Sequence, residues 1–83
     1  MIIDGGKYLQ FELMEDSGKT QCWIVVNKTY GTNLGLLSWY GAWRQYTFQP
    51  SVKTEFNNTC LDSIIGFLNR LNKEKRIVPS LPL

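Results

Sequence analysis

Alternating apolar and polar residues predict β-strands in the first part of the chain. Residues 7–15 and residues 20–28 each alternate with a period of two, which is typical of strands that have one buried face. A turn is expected between them at residues 16–19, where Gly18 suits a positive φ. The side chains expected in the core are Leu9, Phe11, Leu13, Cys22, Ile24 and Val26.

Residues 34–50 concentrate aromatic side chains and predict a β-hairpin with strands at 34–40 and 43–49. A two-residue turn at positions 41 and 42 would pair Tyr40 with Trp43 and Trp39 with Arg44. That pairing sends the more apolar set of the hairpin, Leu37, Tyr46 and Phe48, toward the core.

One helix is predicted over residues 59–73. Thr59 with Asp62 resembles a capping box, and Asn58 is the alternative cap. Gly66 interrupts the helix and is expected where it crosses the sheet closely. Two prolines end the helix and predict an extended tail at residues 77–83. The apolar stripe consists of Leu61, Ile64, Ile65, Leu68 and Leu71, with Phe67 beside it.

These elements predict an α+β fold in a single domain that spans residues 1–83. The connections between strands are short, so neighbouring strands should pair antiparallel as a meander. The expected architecture is a four-stranded antiparallel β-meander with one C-terminal α-helix packed on one face. One helix covers only one side of a sheet, so the other side stays open.

Composition argues against catalysis. The 83 residues contain no histidine, which excludes Ser-His-Asp and Cys-His chemistry. Cys22 and Cys60 are widely spaced, so we expect free thiols rather than a zinc site. No glycine-rich loop opens a helix, so no cofactor is expected, and the absence of histidine together with two separated cysteines argues against a metal. No signal sequence or membrane-spanning run is expected either, which predicts a soluble protein, and the free thiols indicate an intracellular one.

The open side of the predicted sheet is rich in aromatic and amide side chains. Three interpretations remain open: the aromatic rings hold the hairpin together, they form a platform for a ligand, or they form a protein interface or a dimer. The residues expected on this side are Tyr8, Gln10, Glu12, Gln21, Trp23, Tyr40, Trp43 and Gln45.

A ligand platform predicts a nucleotide or a short single-stranded nucleic acid as partner. Aromatic rings stack on bases, and Arg44 and Lys53 flank the hairpin where they would contact phosphate. The net charge of +2 is too low to favour duplex DNA. The predicted binding residues are Tyr8, Trp23, Trp39, Tyr40, Trp43, Arg44, Tyr46, Lys53 and Thr54.

The aromatic hairpin has the pattern Trp39-Tyr40-x-x-Trp43-Arg44-x-Tyr46-x-Phe48, and Cys60-Leu61 opens the following helix. This pattern resembles small uncharacterised proteins encoded by bacteriophages and mobile elements. The resemblance implies a phage protein in a bacterial host cell. By analogy, we expect a non-enzymatic anti-defence protein that sequesters a nucleotide signal or a short nucleic acid. The alternative is an interaction module that inhibits a host protein or forms a homodimer through the same aromatic face.

Overall fold

A computed structural model describes residues 1–77, which form a five-stranded antiparallel sheet and one C-terminal helix. The sheet order β1-β2-β3-β4-β5 follows the chain, which confirms the predicted meander. The elements are β1 (Ile2–Asp4), β2 (Leu9–Asp16), β3 (Gln21–Asn27), β4 (Asn33–Tyr40), β5 (Gln45–Pro50) and α1 (Asn58–Ile77).

The predicted number of four strands is wrong, because β1 adds a fifth strand at the edge. Its three residues pair with β2, with Ile3 opposite Phe11. A strand of three residues is too short to show an alternating pattern, so only its pairing reveals it.

The prediction of which side of β3 faces the core is also wrong. Trp23 and Val25 lie beneath the helix and are 2% and 0% exposed, whereas Cys22 and Ile24 are only partly buried on the open side. Both sides of β3 are largely apolar, so alternation could not choose between them. The indole decides the orientation because an aromatic ring removes more apolar surface from water than Cys22 does.

The hairpin between β4 and β5 has a longer loop than predicted. Tyr40 pairs with Gln45 and Trp39 pairs with Tyr46, so residues 41–44 form a four-residue loop. A two-residue turn of type I′ needs positive φ at both positions, and alanine at position 42 disfavours that. Instead, Arg44 takes the positive φ, at 53°. The pairing shifts by two residues, which preserves the predicted faces.

The helix begins at Asn58 and is capped by Asn57, whose Oδ1 accepts a hydrogen bond from the Cys60 N–H at 2.8 Å. Both predicted caps, Thr59 and Asn58, are therefore wrong. The helix continues to Ile77, four residues beyond the predicted end at 73. The rest of the predicted tail, residues 78–83, lies outside the described residues.

The buried stripe of α1 is rotated relative to the prediction. Ile64, Phe67 and Leu71 are buried, while Leu61 and Ile65 are 42% and 53% exposed. The ring of Phe67 sets this rotation, because it stacks on Phe11 at 4.3 Å and meets Trp23 edge-on at 5.0 Å. The prediction for Gly66 is wrong as well, since it is exposed and a Cβ there would meet no atom of the described residues within 4 Å beyond its own helical backbone.

Among the described residues, α1 is not long and apolar enough to cross a membrane.

Candidate functional site

The predicted binding residues do not form a single site. Trp39, Tyr40, Trp43, Arg44 and Tyr46 lie at the end of the sheet that contains the β4–β5 loop. The β2–β3 turn and the last turns of α1 lie at this same end, because Lys75 Nζ donates a hydrogen bond to the Lys19 carbonyl oxygen at 2.6 Å. We call this end of the molecule the hairpin end.

Four predicted residues lie elsewhere. Trp23 is in the core, where its Nε1–H donates to Gln21 Oε1 at 3.0 Å. Tyr8, Lys53 and Thr54 lie at the opposite end, beyond the start of β2 and the end of β5. The six residues of β5 rise about 3.3 Å each, so the two ends are about 17 Å apart. One nucleotide therefore cannot contact both groups.

Two aromatic rings are exposed together at the hairpin end. Tyr40 and Trp43 meet edge to face, with ring centroids 5.0 Å apart and an interplanar angle of 86°. They remain 42% and 66% exposed. The adjacent Arg44 is also exposed. The rings touch each other, so a planar ligand would stack on the outside of the pair rather than between its members.

A second aromatic pair lies on the helix side of the same hairpin. Trp39 and Tyr46 meet edge to face at 5.5 Å. The ammonium of Lys75 lies 5.3 Å from the Trp39 ring, within the range of a cation–π contact. A cavity of about 250 Å³ on this side is lined in part by Lys19, Lys75 and Tyr46. The helix thus brings the Lys75 ammonium to the hairpin, and the carboxylates Asp16 and Glu74 line the same cavity.

The β2–β3 hairpin and the β4–β5 hairpin separate at this end of the sheet. The pairing of β3 with β4 stops at Trp23 opposite Leu37, while β2–β3 continues to Gln21 and β4–β5 continues to Tyr40. The backbone N–H of Gln21 donates to the hydroxyl of Tyr46 at 3.0 Å. Burial raises the pKa of that Tyr46 hydroxyl, and its bond to the Gln21 N–H acts in the opposite direction. The Tyr46 side chain therefore connects the two hairpins at a point where β3 and β4 are no longer paired.

A cleft of about 430 Å³ opens between the separated hairpins. This volume is within the range of small-molecule sites. Trp39 is the aromatic residue among those that line it, and the remaining groups are carboxylates, hydroxyls, an amide and a thiol. The lining residues are Glu15, Asp16, Ser17, Thr20, Gln21, Cys22, Ser38 and Trp39.

The two carboxylates of the cleft differ in their surroundings. Asp16 accepts hydrogen bonds from the Gly18 N–H and from Gln21 Nε2, and these bonds lower its pKa. It thus stabilises its own turn. Glu15 belongs to neither of the two ion pairs found in residues 1–77. The pKa of the Cys22 thiol is raised, first by burial and then by the negative charge of Glu15, which lies opposite it in the sheet.

The sequence alone did not indicate this cleft. Glu15 and Asp16 look like ordinary solvated residues beside a turn, and Ser38 has no distinguishing context. The signal that matters is the separation of β3 from β4, which no sequence pattern reports. No group of three or more potential metal-binding side chains occurs within residues 1–77.

An uncharacterized 9.3 kDa protein of Acholeplasma phage L2 is 32% identical to this chain over 77 residues. The matched region covers 92% of this chain and 99% of the phage protein. The chain belongs to the family of that phage protein. No family model matches the chain, and no solved structure matches it. The phage family expected from the resemblance is thus confirmed, while its aromatic motif stays a prediction.

Proposed function

We propose that this member of the phage family is a non-enzymatic protein that binds a nucleotide or a short single-stranded nucleic acid at the hairpin end. The observation that supports the proposal is the exposed pair Tyr40 and Trp43 next to the exposed cation Arg44. Stacking of a base on an aromatic ring contributes about 1–3 kcal/mol and tolerates any base. Arginine pairs with phosphate through two parallel hydrogen bonds.

The helix side supplies further positive charge for phosphate. Lys75 is fixed by the Lys19 carbonyl oxygen and by the Trp39 ring, so its ammonium is already positioned. A group that is ordered before the ligand arrives loses less conformational entropy on binding. A ligand with an aromatic base and a phosphate group would engage both the exposed rings and these cations.

Sequestration is the role that best suits such a site. The chain contains no histidine, so the commonest general base is absent. Within the family setting of a phage protein, we propose that it acts in the cytoplasm of the infected bacterial cell. There it would remove a nucleotide signal of host defence, or cover a short nucleic acid, and so blunt the response.

The test is a titration of intrinsic tryptophan fluorescence with cyclic and linear nucleotides and with a short oligothymidine. Trp23 is buried, so quenching would report mainly on Trp39 and Trp43. Trp43→Ala should weaken binding at least fivefold, because it removes one stacking contact.

Tyr30→Ala is the matched control, since Tyr30 is 79% exposed and lies in the β3–β4 connection at the opposite end. Its affinity should equal that of the unmodified protein. Equal losses in the two variants would remove the hairpin end from consideration.

A second candidate function is an interaction module, favoured by the open side of the sheet. Ile24 pairs with Leu36 across β3 and β4, on the side that α1 does not cover, and Ile2 at the edge is 62% exposed. This candidate would be favoured if the folded protein bound none of the nucleotides and no oligothymidine in the fluorescence titration. Sedimentation analysis would then distinguish a homodimer from a monomer that needs a host protein.

A further inference from the structure

The cleft between the hairpins has a polarity that the exposed rings beside it do not explain. It shares Trp39 with the hairpin end, yet among the side chains that the structure describes no lysine or arginine lines it. Glu15 and Asp16 give it negative charge instead, and a phosphate inside it would be repelled. The cations Arg44 and Lys75 belong to the neighbouring hairpin loop and to the helix side. The negative cleft and the cationic surroundings therefore suit different parts of one ligand.

We infer that the cleft receives a nucleobase that presents an exocyclic amino group, with Trp39 as its aromatic wall and the Glu15 carboxylate as its hydrogen-bond acceptor. This inference rests on the proposed function and adds a second base position to it: in a short single strand, one base stacks on Tyr40 and Trp43 while a neighbouring base enters the cleft. The phosphate of the same nucleotide lies outside the cleft, toward Arg44 and Lys75.

The chemistry of Glu15 supports this assignment. An ionised carboxylate only accepts hydrogen bonds, so it suits the amino group of cytosine or guanine and opposes a carbonyl oxygen. Asp16 cannot take this role as readily, because Gly18 and Gln21 already donate to both of its oxygens. Glu15 lies in neither ion pair of the described residues and is exposed at the end of β2. Glu15 pairs with Cys22 across β2 and β3, and both residues line the cleft.

The test compares nucleotides that carry the amino group with nucleotides that lack it, by calorimetric titration of the full chain. Cytidine monophosphate is measured against uridine monophosphate, and guanosine monophosphate against inosine monophosphate. A hydrogen bond to a charged acceptor predicts that the amino-bearing member of each pair binds roughly tenfold tighter or more. Glu15→Ala should reduce that preference to less than threefold.

Glu55→Ala is the matched control, because Glu55 is an exposed carboxylate that precedes α1 at the opposite end. It changes the net charge by the same amount and should keep the full preference. A second readout locates the ligand: in a Cys60→Ser background, the bound amino nucleotide should slow alkylation of Cys22 by N-ethylmaleimide.

The outcomes separate the two proposals. Loss of the amino preference in Glu15→Ala alone, together with protection of Cys22, supports the inference. Tight binding of all four nucleotides without preference, or an unchanged preference in Glu15→Ala, overturns the inference and leaves the proposed function standing. Absence of binding by every nucleotide, with the protein folded by circular dichroism, overturns both.

Discussion

Arg44 and Lys53 are two exposed cations with the same unusual backbone. Their φ angles are 53° and 60°, in the left-handed region that non-glycine residues rarely adopt. Both therefore carry a similar local strain, and the strain alone does not identify a binding site. Their neighbours differ, since Arg44 follows the exposed Trp43 and Lys53 lies at the opposite end of the molecule. The two positions form a natural pair for a comparison.

Arg44→Ala should weaken nucleotide binding about tenfold, because it removes a charge-assisted contact with phosphate. Lys53→Ala removes the same charge and keeps the same backbone strain, so its affinity should change less than twofold. The measurement is the dissociation constant at two salt concentrations, where Arg44→Ala should also show a shallower salt dependence. Equal losses in both variants would mean that only net charge matters.

At the level of the helix, the sequence predicted the element but not its orientation. Leu61, Ile65 and Leu68 are spaced by four and three residues. Ile64, Phe67 and Leu71 are spaced by three and four residues, so both sets fit a helical period, and periodicity allowed two adjoining apolar sides. Packing chose the side with Phe67, whose ring meets two aromatic rings of the sheet. The same reasoning explains why β3 turned Trp23 inward. In both elements the largest aromatic ring, rather than the count of apolar residues, determined the buried side.

The exposed position of Gly66 gives a prediction about stability. Gly66→Ala should raise the free energy of unfolding by about 1 kcal/mol, because alanine favours the helix and its Cβ would not clash with any part of the chain that the structure describes. Urea unfolding followed by circular dichroism measures this change.

Gly35→Ala is the opposing control for Gly66→Ala. A Cβ at Gly35 would lie 2.6 Å from the Gln49 carbonyl oxygen, and the φ of 153° disfavours alanine. The Gly35→Ala variant should unfold at a lower urea concentration than the unmodified protein. A loss of stability in Gly66→Ala would show that the helix surface there is covered in solution.

At the level of the whole molecule, short connections were sufficient to predict the antiparallel meander and the helix on one side. Local patterns also predicted that Tyr40 and Trp43 lie side by side, because they are close in the chain, although the same patterns paired Arg44 with Trp39 on the other face. They could not predict that Trp23, Tyr8 and Lys53 lie apart from them, since that depends on strand orientation and strand length. The cleft was beyond prediction for a related reason: it exists where β3 and β4 cease to pair.

The hydroxyl of Tyr46 connects the β2–β3 hairpin to the β4–β5 hairpin beyond the end of the β3–β4 pairing. Tyr46→Phe keeps the ring beside Trp39 but leaves the partly buried Gln21 N–H without its partner. The expected loss in the free energy of unfolding is about 1–3 kcal/mol. Nucleotide affinity should fall with it, because Gln21 and Trp39 line the cleft from opposite hairpins. Tyr30→Phe removes an exposed hydroxyl and should change neither quantity. Urea unfolding and calorimetric titration of both variants measure the two effects. If Tyr46→Phe changed neither the free energy of unfolding nor the nucleotide affinity, the arrangement of the two hairpins would not depend on this hydrogen bond.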